Sequence, residues 1–380
     1  MNDSRLWELG RLFLRLGTTA FGGPAVHVAL MEDEVVRRRG WLTREQFLDY
    51  VGATNLIPGP NSTELAIHIG HLRAGWPGLL VAGACFIAPA TLIVTFLAWV
   101  YVSWGTVPQV QGVLYGVKPV VLAVVAQALW GLARSAVKTS SLMVLLGAAI
   151  AAAASGVHEL GVLIGAGVVA AVAGGAQRFV LTLFVAWLRS GWAFAATAGP
   201  AAIAAVAAPV TMTSLFVVFL KAGAVLYGSG YVLLAFIRAD LVERLGWLTE
   251  SQVLDAIAIG QVTPGPVFTT ATFVGYLVAG TTGAAVATVG IFLPAFVFVA
   301  LSGPLVPRLR RSPVAGRVLD GVNVASLALM AVASWHLGRA ALVDAPTMAL
   351  CVGSVVALAG FRVNSTWLIA AGALVGWMLG

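Results

Sequence analysis

Two identical tripeptides, Pro58-Gly59-Pro60 and Pro264-Gly265-Pro266, are followed by residues able to donate hydrogen bonds: Asn61, Ser62 and Thr63 after the first, Thr269 and Thr270 after the second. Proline stops a helix and glycine supplies a turn, so a new helix is expected to start just beyond each tripeptide. The first amides of a helix have no partner within it and carry a partial positive charge. Amides and hydroxyls gathered there suit the oxygens of an anion. The plain alternative is a tight turn followed by ordinary caps. Recurrence of the arrangement in two halves of the chain favours binding.

Charged residues supply the second set of candidates. Lys118 precedes Pro119 inside an apolar segment, where an ionised group is costly and is by default functional. It is expected to offset the charge of a bound anion, with Glu64 as a carboxylate partner when the site is empty. Arg15 and Lys221 each stand seven residues before a glycine break and offer further positive charge, or else snorkel to the membrane edge. Glu64, His68 and His71 share one helical face by their i, i+4, i+7 spacing, and Glu64 is the candidate for a coupling proton. Glu32, Asp33 and Glu34 read as a solvated helix end facing Arg37–Arg39. The His/Glu spacing is too unspecific to assign a metal, no cofactor is implied, and no nucleotide fingerprint, nucleic-acid motif or catalytic constellation is present.

The elements that position these residues are written twice. With an offset of 206, residues 21–60 and 227–266 agree at about 15 of 40 positions. Gly40-Trp41-Leu42-Thr43 returns as Gly246-Trp247-Leu248-Thr249. After a one-residue gap Gly70 pairs with Gly275, Gly75 with Gly280 and Gly116 with Gly321. Apolar residues make up 60% of the 380 and charged ones only 10%, against about 25% charged in soluble domains; mean hydropathy is +0.96. The chain is therefore expected to be an all-α polytopic membrane protein, 1–177 and 211–380 forming two transporter repeats joined by an apolar connector, 178–210. Duplicated membrane proteins often place the substrate between the repeats. Cys85 and Cys351 lie far apart in apolar segments and read as two buried thiols.

Each repeat reads as a first helix broken by glycine (Gly22-Gly23; Gly228 and Gly230), whose freed backbone groups are expected to line the substrate site, a re-entrant hairpin tipped by the Pro-Gly-Pro, and four further apolar helices, about five spans in all. Thr43 with Gln46 has the pattern of a capping box. Basic residues change place between repeats: Arg37–Arg39, Arg73, Arg134 and Lys138 in the first; Arg308, Arg310, Arg311 and Arg317 in the second. That is the pattern the positive-inside rule imposes on inverted repeats.

The segments FGGPAVHVALMEDEV, RRGWLTREQFLD, PGPNST, IGHLRAGWPGLLVAG and GVKPVV resemble the N-terminal half of the chromate ion transporter family, and FLKAGAVLYGSGY, ERLGWLTESQVLDAIAIGQVTPGP and VGYLVAGTTGA its C-terminal half. The resemblance covers nearly the whole chain apart from 178–210 and corresponds to the long, two-domain form. It implies a multi-pass protein of a prokaryotic inner membrane that exports chromate, driven by the proton-motive force, with lipid and a small inorganic anion as partners. Transport of sulfate or another anion, an anion channel, and a homodimeric assembly stay open at this stage.

Overall fold

The computed structural model describes residues 2–21, 23–105, 107–173, 210–226, 232–361, 363 and 365–379. Among them are helices and turns and no strand. The first half holds α1 (Asn2–Thr19), α2 (Pro24–Glu32), α3 (Arg44–Thr54), α4 (Asn61–Trp104), α5 (Pro108–Ala136), α6 (Ser140–Ala154) and α7 (Glu159–Ala173). The second holds α8 (Met212–Val225), α9 (Val232–Ile237), α10 (Glu250–Val262), α11 (Thr270–Arg311), α12 (Pro313–Ala341), α13 (Ala345–Gly360) and α14 (Ser365–Leu379). Residues 178–209 of the connector and Gly22, Gly228 and Gly230 lie outside the described residues.

Local geometry repeats with the sequence. Wide π-helical turns extend α2 over Asp33–Arg38 and α9 over Arg238–Arg244. Thr43 and Thr249 each cap a helix through a complete box with Gln46 and Gln252. Helix α4 breaks at Ala74 and Gly75 (φ 64°, ψ −148°), and α11 breaks at Ala279 and Gly280 (φ 62°, ψ −154°). Only glycine tolerates that left-handed φ cheaply. At each break the chain folds back on itself. Gly70 and Gly78 approach so closely that a methyl on either would collide with the carbonyl of the other, and Gly275 and Gly283 do the same. The hairpin arm that follows each Pro-Gly-Pro is thus packed on the helix that comes after it.

The broken first helix does not continue across as a span. Gly23 (φ 82°) turns the chain, and α2 returns beside α1, with Glu8 bound to Arg39 (2.9 Å) and Arg15 to Glu34 (2.5 Å). The ion pairs need this reversal. Glu8 also meets Arg73 (3.3 Å), so the end of the first hairpin arm reaches the same end of the bundle, here called the basic end.

Among the described residues, four helices are long and apolar enough to cross a membrane: Asn61–Trp104, Gln109–Ala136, Val267–Ser302 and Val314–Ala341. Helices α6 and α13, expected as spans, have 15 and 16 residues, which at 1.5 Å per residue falls short of a hydrocarbon core about 30 Å thick; α7 and α14 run to the limits of the described residues. The exterior is apolar: Leu80, Leu92, Phe96, Trp130, Val289, Trp335, Val352 and Trp377 are all exposed, as suits a lipid-facing surface.

The halves interlock by exchange. Helix α5 packs on α12, α13 and α14, while its repeat counterpart α12 packs on α5, α6 and α7. Small residues allow it: Gly116 lies against the backbone of Gly372 and Gly376, and Gly321 against that of Ala166. The end of α5 meets the start of α12 through Lys138–Asp320 (2.8 Å), and Tyr115, near the start of α5, donates to Asp344 beyond the end of α12 (2.7 Å). Helices α5 and α12 are therefore antiparallel.

Candidate functional site

Both Pro-Gly-Pro tips are held by the opposite half. The Gly59 amide donates to the Leu226 carbonyl (2.7 Å), and the Gly265 amide donates to the Ala20 carbonyl (3.0 Å). Ala20 and Leu226 are themselves repeat counterparts, each just past the end of its half's first helix, so the two bonds are one contact made twice. Each tip also rests on a long helix of the other half, Gly59 against Ala295 and Gly265 against Ala90. Pro58 and Pro60 and their counterparts Pro264 and Pro266 thus fix the turns, and the tip amides are already engaged.

The residues after the tips differ between halves. Thr63 is fully buried with an unpartnered hydroxyl, and Asn61 donates from Nδ2 to Asn55 (2.7 Å) while its Oδ1 has no partner. Ser62 lies 3.2 Å from Nδ1 of His27, whose Nε2 is 3.0 Å from the Ala20 carbonyl. Nε2 must donate to the carbonyl; burial pushes the imidazole pKa down to about 4, so the ring is neutral and Nδ1 accepts from Ser62. In the second half Thr269 and Thr270 turn their hydroxyls back onto the Pro266 and Val267 carbonyls (2.8 and 2.9 Å). They cap the turn and do not point into open space. Gly23 is described, at the turn between α1 and α2.

Lys118 does not meet Glu64. Its ammonium is 3.3 Å from Asp255 and 2.7 Å from Ser251, both on α10, and Tyr101 donates to the same carboxylate (2.9 Å). The carboxylate that answers Lys118 comes from the other half, which sequence spacing could not reveal. Arg15 and Lys221 are likewise paired. Arg15 binds Glu34 and Lys221 binds Asp240 (2.6 Å), with Arg38 (3.3 Å) and Arg244 (2.9 Å) as second partners. These two triads superpose by the 206-residue offset. Glu34 is therefore buried in an ion-pair cluster rather than solvated. Burial works against its ionisation, but hydrogen bonds and charge from Arg15 and Arg39 hold its carboxyl below the usual range. His27, Asp255, Tyr101 and Asp240 were not singled out from the sequence as site residues, and Glu34 was read as solvated. For Glu34 and Asp240 a signal existed: acid and base recur together at one offset.

Glu64 is fully buried and neither carboxylate oxygen has a partner. Gly59 packs against it so tightly that a Cβ there would strike the carboxylate. His68 is buried beside the Tyr50 ring (centroids 5.3 Å apart). No cluster of metal-ligating side chains occurs among the described residues.

A helical bundle with an apolar exterior and span-length helices is that of an all-α polytopic membrane protein. The sequence profile of the chromate transporter family matches residues 7–174 and 213–377, and the chain belongs to that family. It is 34% identical to a chromate transport protein of Cupriavidus metallidurans, over 98% of this chain and 92% of that one. It is 30% identical to a probable chromate transport protein of Synechococcus elongatus (94% and 91% covered) and 29% identical to a chromate transport protein of Pseudomonas aeruginosa (98% and 92%). No solved structure matches. Membership points to membrane transport rather than catalysis, with an inorganic anion as cargo.

Proposed function

We propose that this protein exports chromate across a prokaryotic inner membrane by alternating access between two inverted repeats, with the proton-motive force as the drive. The reciprocal tip contacts carry the reading. Gly59 to Leu226 and Gly265 to Ala20 make each half's hairpin tip depend on the other half's first helix, so the tips cannot move independently. The antiparallel course of α5 and α12 supports inversion. The halves also differ in exposure: α10 is buried along 253–258, whereas in the corresponding stretch of α3 Leu48 and Asp49 are exposed.

The anion site is placed at the start of α4, where the amides of Asn61 and Ser62 begin a helix and Thr63 holds a free hydroxyl. Thr269 and Thr270 contribute once their turn opens. Lys118, Arg15 and Lys221 reach an anion only by leaving their carboxylates, which ties charge compensation to the conformational change. Chromate flux in proteoliposomes, with and without a pH gradient and with sulfate as competitor, tests the reading. Gradient-dependent chromate movement with weak sulfate competition is expected. Flux indifferent to the gradient means a channel, and equal competition means a general sulfate-type carrier.

A further inference from the structure

Along the first arm of α4, from the Pro-Gly-Pro to the basic end, Asn61, Glu64, His68 and His71 fall on one helical face, three, four and three residues apart. Every one of them has a buried polar atom without a hydrogen-bond partner: Oδ1 of Asn61, both oxygens of Glu64, Nε2 of His68 and Nδ1 of His71. Buried polar atoms are nearly always satisfied, so a continuous row of orphans marks groups that take up something mobile. The row starts near water, since Arg73, two residues beyond His71, pairs with Glu8 at the basic end. It finishes at Glu64, which no cation reaches.

The neighbours of Glu64 leave one solution. From α2, His27 is neutral and spent on Ser62 and Ala20. From α3, Tyr50 stands by His68, with Asp49 on the exposed side. From the other half, Gly59, which covers the carboxylate, meets the apolar Ala295 of α11 and bonds the Leu226 carbonyl after α8. Lys118 is held by Asp255. A bare carboxylate there would be uncompensated, and the neutral acid is the form such surroundings accept.

We infer that Glu64 is the proton-carrying residue of this transporter, loaded from the basic end through His71 and His68. The inference rests on the proton-driven reading above and gives it a site. In each hop an N–H bond breaks as the next N–H or O–H bond forms. One proton enters at His71, one arrives on a Glu64 oxygen, and both imidazoles end neutral. The path requires one water between successive groups of the row, which the i, i+3 and i, i+4 spacing on one helical face would let it bridge.

Infrared difference spectra of the full protein in liposomes, taken on a pH jump in H2O and D2O, test this without any anion. A protonated-carboxyl C=O band should be present, and Glu64→Gln should abolish it. His68→Phe should keep the band but slow its H/D exchange roughly a hundredfold, the lower range of what a positioned acid–base group contributes. Glu64→Asp, which keeps a carboxyl, should retain a shifted band and guards against misfolding of the amide variant. A band unchanged in Glu64→Gln, or exchange in His68→Phe as fast as in the parent, overturns the proposal. In the same liposomes Glu64→Gln should lose the response of chromate flux to the pH gradient. Absence of all chromate flux in the parent would instead sink the transport reading, while the infrared band still decides the proton site.

Discussion

At the scale of single residues, the governing fact is that Lys118 is answered across the two halves and that the Glu34 and Asp240 clusters repeat by symmetry, while Glu64 stands alone. Lys118 and Asp255 are both mostly buried, 19% and 3% exposed at the side chain. Removing one leaves the other uncompensated. Lys118→Met should lower stability by about 3–5 kcal/mol, and adding Asp255→Asn should recover most of it. A double-mutant cycle by thermal denaturation in detergent reads this, and a double variant no better than the single would show the pair to be energetically idle. The Glu34 triad gives a pH dependence. Its carboxyl titrates below the unfolded value of 4.5. It therefore contributes stability that is full above that value and is lost as pH falls through the folded one. The melting temperature should drop on that acid limb, and Glu34→Gln should flatten it. An identical acid limb in the variant would assign the effect elsewhere.

At the scale of elements, glycines decide where helices turn back and how closely they pack, and two substitutions separate these effects. A methyl on Gly75 meets nothing within 4 Å, so Gly75→Ala should register only the backbone cost of φ 64°, ψ −148°, about 1–3 kcal/mol. Gly70→Ala has an ordinary helical backbone but drives a methyl into the Gly78 carbonyl. It should separate the hairpin arm from the following helix and cost more, about 1–3 kcal/mol of overpacking or beyond. Melting temperatures of the two variants check the order, and a smaller loss for Gly70→Ala would contradict the close packing. Both hairpin arms were legible in the sequence. Proline-glycine-proline, the Thr43–Gln46 box and the short apolar runs are local signals, and local signals set where helices begin and end. The fold-back of α2 onto α1 was not legible. A glycine turn permits continuation or reversal equally, and the choice is made by Glu8, Arg15, Glu34 and Arg39, which are distant in sequence.

For the whole molecule, tracing α4, α5 and α12 puts Arg37, Lys138 and the start of α12 at one end, and Val107 and Val343 at the other. Single cysteines at Arg37 and Gly316 should react with an impermeant thiol reagent from the same side of the membrane, and cysteine at Val343 from the other, in a chain whose two native cysteines are replaced. Reaction of positions 37 and 316 from opposite sides would refute the inverted arrangement. The sequence by itself determined the class, the duplication, the hairpins and the family, because composition, period and turn chemistry are local and were written twice. Only the tertiary structure decided which charges meet. Lys118 found Asp255, Glu64 was left with no cation, and each Pro-Gly-Pro tip was bound to the other half's first helix. Those contacts join residues more than a hundred positions apart or leave one deliberately alone. No spacing rule along a single chain encodes them, since they arise only when the two copies fold around each other.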